Sequence, residues 1–159
     1  MIRPGCIEDA GQLAALFNAI NSLDGNPLPV TMTATHVEQH LLGPSPWSLL
    51  RVAEIDGVVA GFITASPAYD SARAAGCYIV IDLYVHPDFR RRGVARALMA
   101  AMAAEGRRNG AGCLWWGVDD GDDEATAFYI SLGATVEDHF EGRILVGAAY
   151  DTLAAEAEP

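Results

Sequence analysis

The sequence predicts a mixed α/β domain, and three observations carry that expectation. Apolar residues recur at helical spacing in several segments, and β-rich runs stand between those segments. The dipeptide Asp56-Gly57 joins two of the β-rich runs as a favoured hairpin turn. No repeat, low-complexity tract or linker divides the 159 residues. They read as one domain, 1–159, large enough for a single core and ending in a tail of about eight residues.

Taken in order, "IEDAGQLAALFNAINSL" places Ala10, Leu13, Leu16, Phe17 and Ile20 on one helical stripe. Glu8 and Asp9 stand at its start, where the helix dipole favours carboxylates. "SLDGNPLPVT" is loop by its glycine and prolines. In "TATHVEQHLL", Thr35 and Glu38 have capping-box spacing and predict a short second helix. His36 and His40 on that helix lack the HExxH pattern of a zinc site and are expected on a solvated face. "WSLLRVAEIDGVVAGFITAS" predicts the hairpin, and "CYIVIDLYVHP" a strand ending at Pro87. From Val94, the residues Ala97, Leu98, Ala101 and Met102 predict a helix that Arg107, Arg108 and Gly110 close. "GCLWWGV" follows as a strand, "DEATAFYISLG" as a short helix ending at Gly133, and "RILVGAAY" as a last strand.

Composition excludes several function classes. Apolar residues make up 51% and charged residues 19%, which describes a globular chain, not a disordered one. No apolar run reaches the ~20 residues of a membrane span. "MIRPGCIEDAG" meets acidic residues too early for a secretory signal. Cys6, Cys77 and Cys113 are odd in number and lack CxxC spacing. They are expected as reduced core thiols in the cytoplasm, with no metal bound. A formal net charge of -11 argues against a nucleic-acid partner and suits attraction of a cation.

Against that acidic background, three of the ten basic residues stand together at Arg90, Arg91 and Arg92. Like charges repel, so the triplet is most easily tolerated where an anion neutralises it. Directly after it come Gly93 and a helix start, whose first amides lack internal partners and carry the positive end of the helix dipole. Gly93 and the small Ala95 let a phosphate approach the backbone. Neither GxxxxGK[ST] nor GxGxxG is present. On its own the triplet fits an ordinary basic turn as well as an anion site.

The segment Arg90-Arg91-Arg92-Gly93-Val94-Ala95, preceded by "LYVHPDF", resembles the acetyl-CoA signature [RQ]-x-x-G-x-[GA] of the GNAT N-acetyltransferases. "DDEATAFYISLGA" is similar to the family's N-x-x-A-x-x-x-Y-x-x-x-G, with Ala125, Tyr129 and Gly133 matching and Asp122 standing where asparagine is usual. The likeness covers roughly residues 2–150. It implies a GNAT-like, mostly antiparallel sheet with a splayed strand pair and about four flanking helices, and a homodimer. Acetyl-CoA would be the co-substrate, held by Leu83, Tyr84 and Val85, by Arg90 to Arg96, and by Asp122, Ala125 and Tyr129. "IDLYV", "LWWGVDD", "FYISLGA" and "FEGRIL" are similar to the spermidine/spermine (diamine) acetyltransferase branch. That likeness implies Asp24, Asp82, Trp115 and Glu141 as substrate-lining residues around a small cationic amine. The branch's glutamate beside the aspartate is here Ile81.

The implied chemistry needs a free amine, whereas an alkylammonium has a pKa near ~10.4. A base, a water relay or desolvation must therefore supply the neutral form. Amides of Leu83 to Val85 are candidates to hold the oxyanion. Tyr129 falls where the family's tyrosine protonates the leaving thiolate; its alternative is packing beside Phe128. By alternation Asp82 shares a strand face with Tyr84, and reads as a hydrogen-bonded structural aspartate before it reads as a base. "DDGDDE" does not fit a calcium loop and is expected to cap a helix through Asp122 or Asp123. Other readings are a protein or amino-acid acetyltransferase, a non-catalytic acyl-CoA-binding module, and a nucleic-acid binder that the acidic remainder disfavours.

Overall fold

A computed structural model of the chain describes residues 1–23, 25, 27–137 and 141–157. They fall into two compact units, Met1–Asp120 and Gly121–Pro159. The first holds a five-stranded sheet in the order β1 (Ile2–Pro4), β2 (Leu49–Ile55), β3 (Val58–Asp70), β4 (Ala75–Val85) and β5 (Ala111–Trp115). Neighbours are antiparallel except the β4–β5 pair. Parallel strands need a crossover, and helix α3 (Val94–Arg108) provides it. The expected mixed, mostly antiparallel sheet is therefore present.

Local chemistry explains the turns. Asp56 (φ 51°) and Gly57 (φ 78°) are both left-handed, the arrangement whose twist matches a two-residue hairpin between β2 and β3. The carboxylate of Asp70 accepts from the amides of Ala72 and Arg73 at 2.9 and 3.1 Å, which folds the β3–β4 turn.

On one face, α1 (Ala10–Asn21) and α2 (Ala34–His40) bury Leu13, Phe17 and Val37 against Leu50, Val52, Phe62 and Tyr84. On the other, α3 buries Leu98 and Met102, and Gly106 lies so close to Tyr78 that an added Cβ would come within 3.0 Å of its ring. The second unit contains α4 (Asp123–Ser131) and α5 (Gly147–Ala155). Among the described residues, no helix is long and apolar enough to cross a membrane.

Three expectations are corrected. The strand expected over "RILVGAAY" is instead irregular chain followed by α5. Gly147, at φ 59°, interrupts the extended run, and the alanine-rich stretch beyond it follows helix propensity. Helix α5 continues to Ala155. Helix α2 is capped by Thr33, not Thr35. Its hydroxyl accepts from the His36 amide at 3.3 Å, while the Thr33 amide donates to His36 Nδ1 at 3.3 Å. Cys6 is exposed, not a core thiol; its amide donates to Asp9 at 2.9 Å, and only Cys77 is buried. Strand β1 went unanticipated, three residues containing a proline being too short for a periodic signal.

One ion pair ties this unit's beginning to its sheet. The guanidinium of Arg3 on β1 donates to both carboxylate oxygens of Asp9 at 2.7 and 2.8 Å, and through Nε to Glu54 on β2 at 2.7 Å. Asp9 is only 3% exposed, and the adjacent guanidinium lowers its carboxyl pKa to about 2. Because the folded value lies below the unfolded one, the pair stabilises fully above pH ~4 and loses its contribution as pH falls towards 2. Asp9→Asn is expected to cost about 2 kcal/mol at pH 7, or roughly 4–8 °C in Tm. Thermal unfolding followed from pH 7 to pH 2 should show the gap between parent and variant closing in the acid range. A gap independent of pH would contradict the ionic role.

Candidate active site

The site is built where β4 leaves β5. The two strands pair only through Gly76–Ile79 of β4 and Ala111–Trp115 of β5, whereas β4 continues to Val85. The expected splay is thus Val80–Val85, whose β5-side edge has no strand partner among the described residues. On the β3 side Ala65 opposes Val80 and Thr64 opposes Asp82, so Ile81 is an inserted residue, a β-bulge. The insertion reverses the side-chain alternation. Tyr78 before it lies under α3, whereas Tyr84 after it joins Phe62 and Phe17 on the α1 face. Asp82 shares that face, as alternation from Tyr84 requires.

A threonine that sequence reasoning passed over fixes this point. Thr64 is 2% exposed; its hydroxyl donates to Asp82 Oδ2 at 2.6 Å and accepts from the Asp82 amide at 3.1 Å. The hydroxyl therefore takes the place of a ladder carbonyl that the bulge displaces. Burial pushes the Asp82 carboxyl above its usual range, and the Thr64 hydrogen bond opposes that shift. A threonine in a β-rich run gives no signal of this role.

Beyond Asp82 the main chain alternates. The His86 amide donates to the Ala60 carbonyl of β3 at 2.9 Å, so Tyr84 and His86 turn their polar groups towards β3. Leu83 and Val85 turn theirs the other way, to the open edge. There the Val85 carbonyl accepts from Arg90 Nε at 3.0 Å.

A 3₁₀ turn over Pro87–Phe89 leads from β4 to the arginine loop. The Arg90 guanidinium stands 5.8 Å from the centre of the Tyr84 ring, and that of Arg92 stands 5.6 Å from the Phe89 ring. Arg91 (φ 60°) and Gly93 (φ 77°) are left-handed on either side of Arg92. Such alternation builds an anion-binding concavity of backbone amides, and Arg91 holds it at the cost of a conformation that L-residues avoid. Gly93 is the N-cap of α3, no side chain caps this helix, and a Cβ added at Gly93 would meet nothing within 4 Å. An exposed cationic loop, a left-handed glycine with open space above it, and the first amides of a 15-residue helix fit a pyrophosphate.

In the second unit, Asp122 Oδ1 accepts from the Ala125 amide at 2.8 Å and caps α4. This explains how aspartate serves where asparagine is usual. Gly133 (φ 89°) closes the helix, with its amide donating to the Ile130 carbonyl at 2.9 Å and the Ala134 amide to the Tyr129 carbonyl at 3.2 Å. Tyr129 is half-buried with its ring 5.1 Å from that of Phe128; burial, and then the charge of Asp122, push its phenol upward. The group thus keeps its proton at neutral pH. Glu141 is exposed and ion-paired to Arg143.

The structure therefore brings Asp82, Leu83, Val85 and the loop from Arg90 to Arg96 together around the end of β4. Trp115 ends β5, in register with Ile79. Asp24 lies outside the described residues.

Comparison with known proteins agrees with this geometry. Residues 13–134 match the model of the Acetyltransferase (GNAT) family. The L-ornithine N5-acetyltransferase NATA1 of Arabidopsis thaliana is 35% identical over 81 residues, 51% of this chain and 36% of its own length. The chain thus matches only about a third of that relative. The ribosomal protein bS18-alanine N-acetyltransferase of Escherichia coli K12 is 30% identical over 129 residues, 74% of this chain and 80% of that protein. Among solved structures, an integron cassette protein from the mobile metagenome of V. cholerae superposes with a TM-score of 0.78 at 19% identity, covering 97% of this chain and 96% of its own. With the family model spanning most of its length, the chain belongs to the GNAT acetyltransferases and is an N-acetyltransferase of that type.

Proposed function

We propose that residues 1–159 act as one acetyl-CoA-dependent domain that moves the acetyl group directly to a small cationic amine. The observation that carries this is the uncapped, left-handed Gly93 between the arginine triplet and α3, beside the opened edge of β4. Arg90 to Arg92 and the amides from Gly93 to Arg96 hold the pyrophosphate. The outward main-chain groups of Leu83 and Val85 hold the pantetheine arm and donate to the developing oxyanion. When bound, acetyl-CoA supplies a thioester whose carbonyl carbon an amine attacks. The C–S bond breaks as the amine nitrogen gains the acyl carbon and releases a proton to water, while Tyr129 gives the departing sulfur its proton and regains one from solvent.

For the acceptor, the likeness to the diamine acetyltransferase branch supports Asp24, Asp82 and Glu141 as carboxylates facing an ammonium, with Trp115 as a cation–π wall. The Arabidopsis relative, named for acetylating L-ornithine at N5, supports a side-chain amine. The E. coli relative's name favours a protein α-amine as the second reading. The excess of acidic residues suits a cation in either case. A panel of amines incubated with acetyl-CoA, followed by free-thiol release, tests the assignment. Thiol release unaffected by any amine would favour a binding module instead.

Gly93→Glu is expected to abolish acetyl-CoA binding, because it sets a carboxylate where the phosphates sit. Gly93→Ala, which shares the left-handed strain without the charge, should weaken binding far less. Equal titration curves for parent and Gly93→Glu would displace the cradle. Tyr129→Phe should lower turnover about 10²–10⁴-fold with little change in acetyl-CoA affinity; unchanged turnover would leave Tyr129 a packing residue. Asp24→Asn combined with Glu141→Gln should raise KM for cationic amines and spare neutral acceptors. Diamine kinetics identical to the parent would remove both carboxylates from the acceptor site.

A further inference from the structure

Ile81 is the one exposed residue of β4, with 58% of its surface open to solvent. It is also the bulge residue, set between buried Val80 and the Thr64-held Asp82 on the stretch that β5 does not cover. Two further apolar residues lie beside it. Ile79 and Trp115 are register partners across β4 and β5, both half-buried. They share the sheet face opposite α3, because Tyr78 and Leu114 occupy the α3 side. None of Ile79, Ile81 and Trp115 belongs to the buried core under α1 and α2. Asp82 therefore stands at a border, with the packed Phe62–Tyr84 core on one side and an incompletely covered apolar strip on the other.

We infer that this strip is the wall for the acceptor's carbon skeleton, and that the acceptor is a primary amine attached to a hydrophobic body, with Ile81 as the specificity-determining residue. The inference rests on the acetyltransferase reading above and narrows its substrate class. An ammonium drawn to Asp82 at the edge of the opened strand has its attached carbons adjacent to Ile79, Ile81 and Trp115. A linear diamine or polyamine would lay its second charge against the aliphatic side chains of Ile79 and Ile81, which offer a buried charge no partner. An aliphatic or aromatic monoamine would bury carbon on carbon instead. The general acidity of the chain attracts both kinds of amine and does not discriminate between them.

The experiment measures kcat/KM at fixed acetyl-CoA for two hydrophobic monoamines, isoamylamine and 2-phenylethylamine, and for two polycations, 1,4-diaminobutane and spermidine. The parent should favour the monoamines by about tenfold or more. Ile81→Glu, at an exposed position, should keep its acetyl-CoA affinity while the monoamines lose about tenfold and the diamine gains. Ile81→Val should preserve the parental ranking. A parent that prefers the polycations, or an Ile81→Glu enzyme with an unchanged ranking, overturns the inference and leaves acetyl transfer intact. Absence of acetylation for every amine, with acetyl-CoA still bound, removes the amine-acetyltransferase reading and this inference with it.

Discussion

The hydrogen-bonded pair Thr64–Asp82 sets the phase of everything downstream in β4. Inserting Ile81 shifts the side-chain alternation by one residue, so that Tyr84 turns into the α1 core beside Phe62, with ring centres 6.4 Å apart. Were Ile81 paired in regular register instead of bulged out, Tyr84 would face α3 and the polar Asp82 with it. An unpaired amide at the bulge would be costly this deep in the sheet, and the buried Thr64 hydroxyl satisfies it at 3.1 Å. From Tyr84 the consequence runs to the loop. Its ring lies beneath the Arg90 guanidinium, and the next carbonyl, that of Val85, accepts from Arg90 Nε. One inserted residue in a strand thus bears on where the first cation of the arginine loop stands.

That loop gathers positive charge within an acidic chain, and its geometry limits the repulsion this creates. Arg90 is held towards Tyr84 and Arg92 towards Phe89, so neighbouring guanidinium groups lean on different rings. Each such contact contributes ~0.5–1 kcal/mol at an exposed site, so the two together are comparable to the cost of the left-handed Arg91 between them. The net result is a loop shaped in advance for an anion, which lowers the ordering cost of binding one. The surrounding acidity has the opposite effect, raising the local concentration of cations over a distance that salt shortens. The chain therefore carries a local cationic loop within an acidic whole.

Legibility in the sequence follows the range of the interaction involved. The Asp56-Gly57 turn, the glycine start of α3, and the Asp122 and Gly133 ends of α4 were readable because each is decided within a few residues. The cap of α2 was misplaced because Thr33 with His36 and Thr35 with Glu38 have identical spacing, and only the actual dihedrals choose between them. The run Ile144–Val146 has strand composition, yet composition cannot supply a neighbouring strand, and Gly147 turns the chain into α5. Splay was anticipated only through family resemblance. Its physical cause, the bulge with its threonine, depends on which β3 residue opposes which β4 residue, and periodicity within one strand carries no such information.

Gly61 shows that the open edge and the closed edge of β4 are two aspects of one geometry. A Cβ at this position would come within 2.5 Å of the Tyr84 carbonyl oxygen and 3.1 Å of the Val85 Cα. Such an approach leaves room for no residue but glycine, so β3 draws β4 in tightly just beyond the bulge. A bulge increases local strand twist, and a strand twisted towards one neighbour turns away from the other. The parting from β5 after Ile79 is then favoured by contacts with β3, on the opposite edge of β4. Gly61 and Thr64, both on β3, thereby act together on the point where β4 parts from β5.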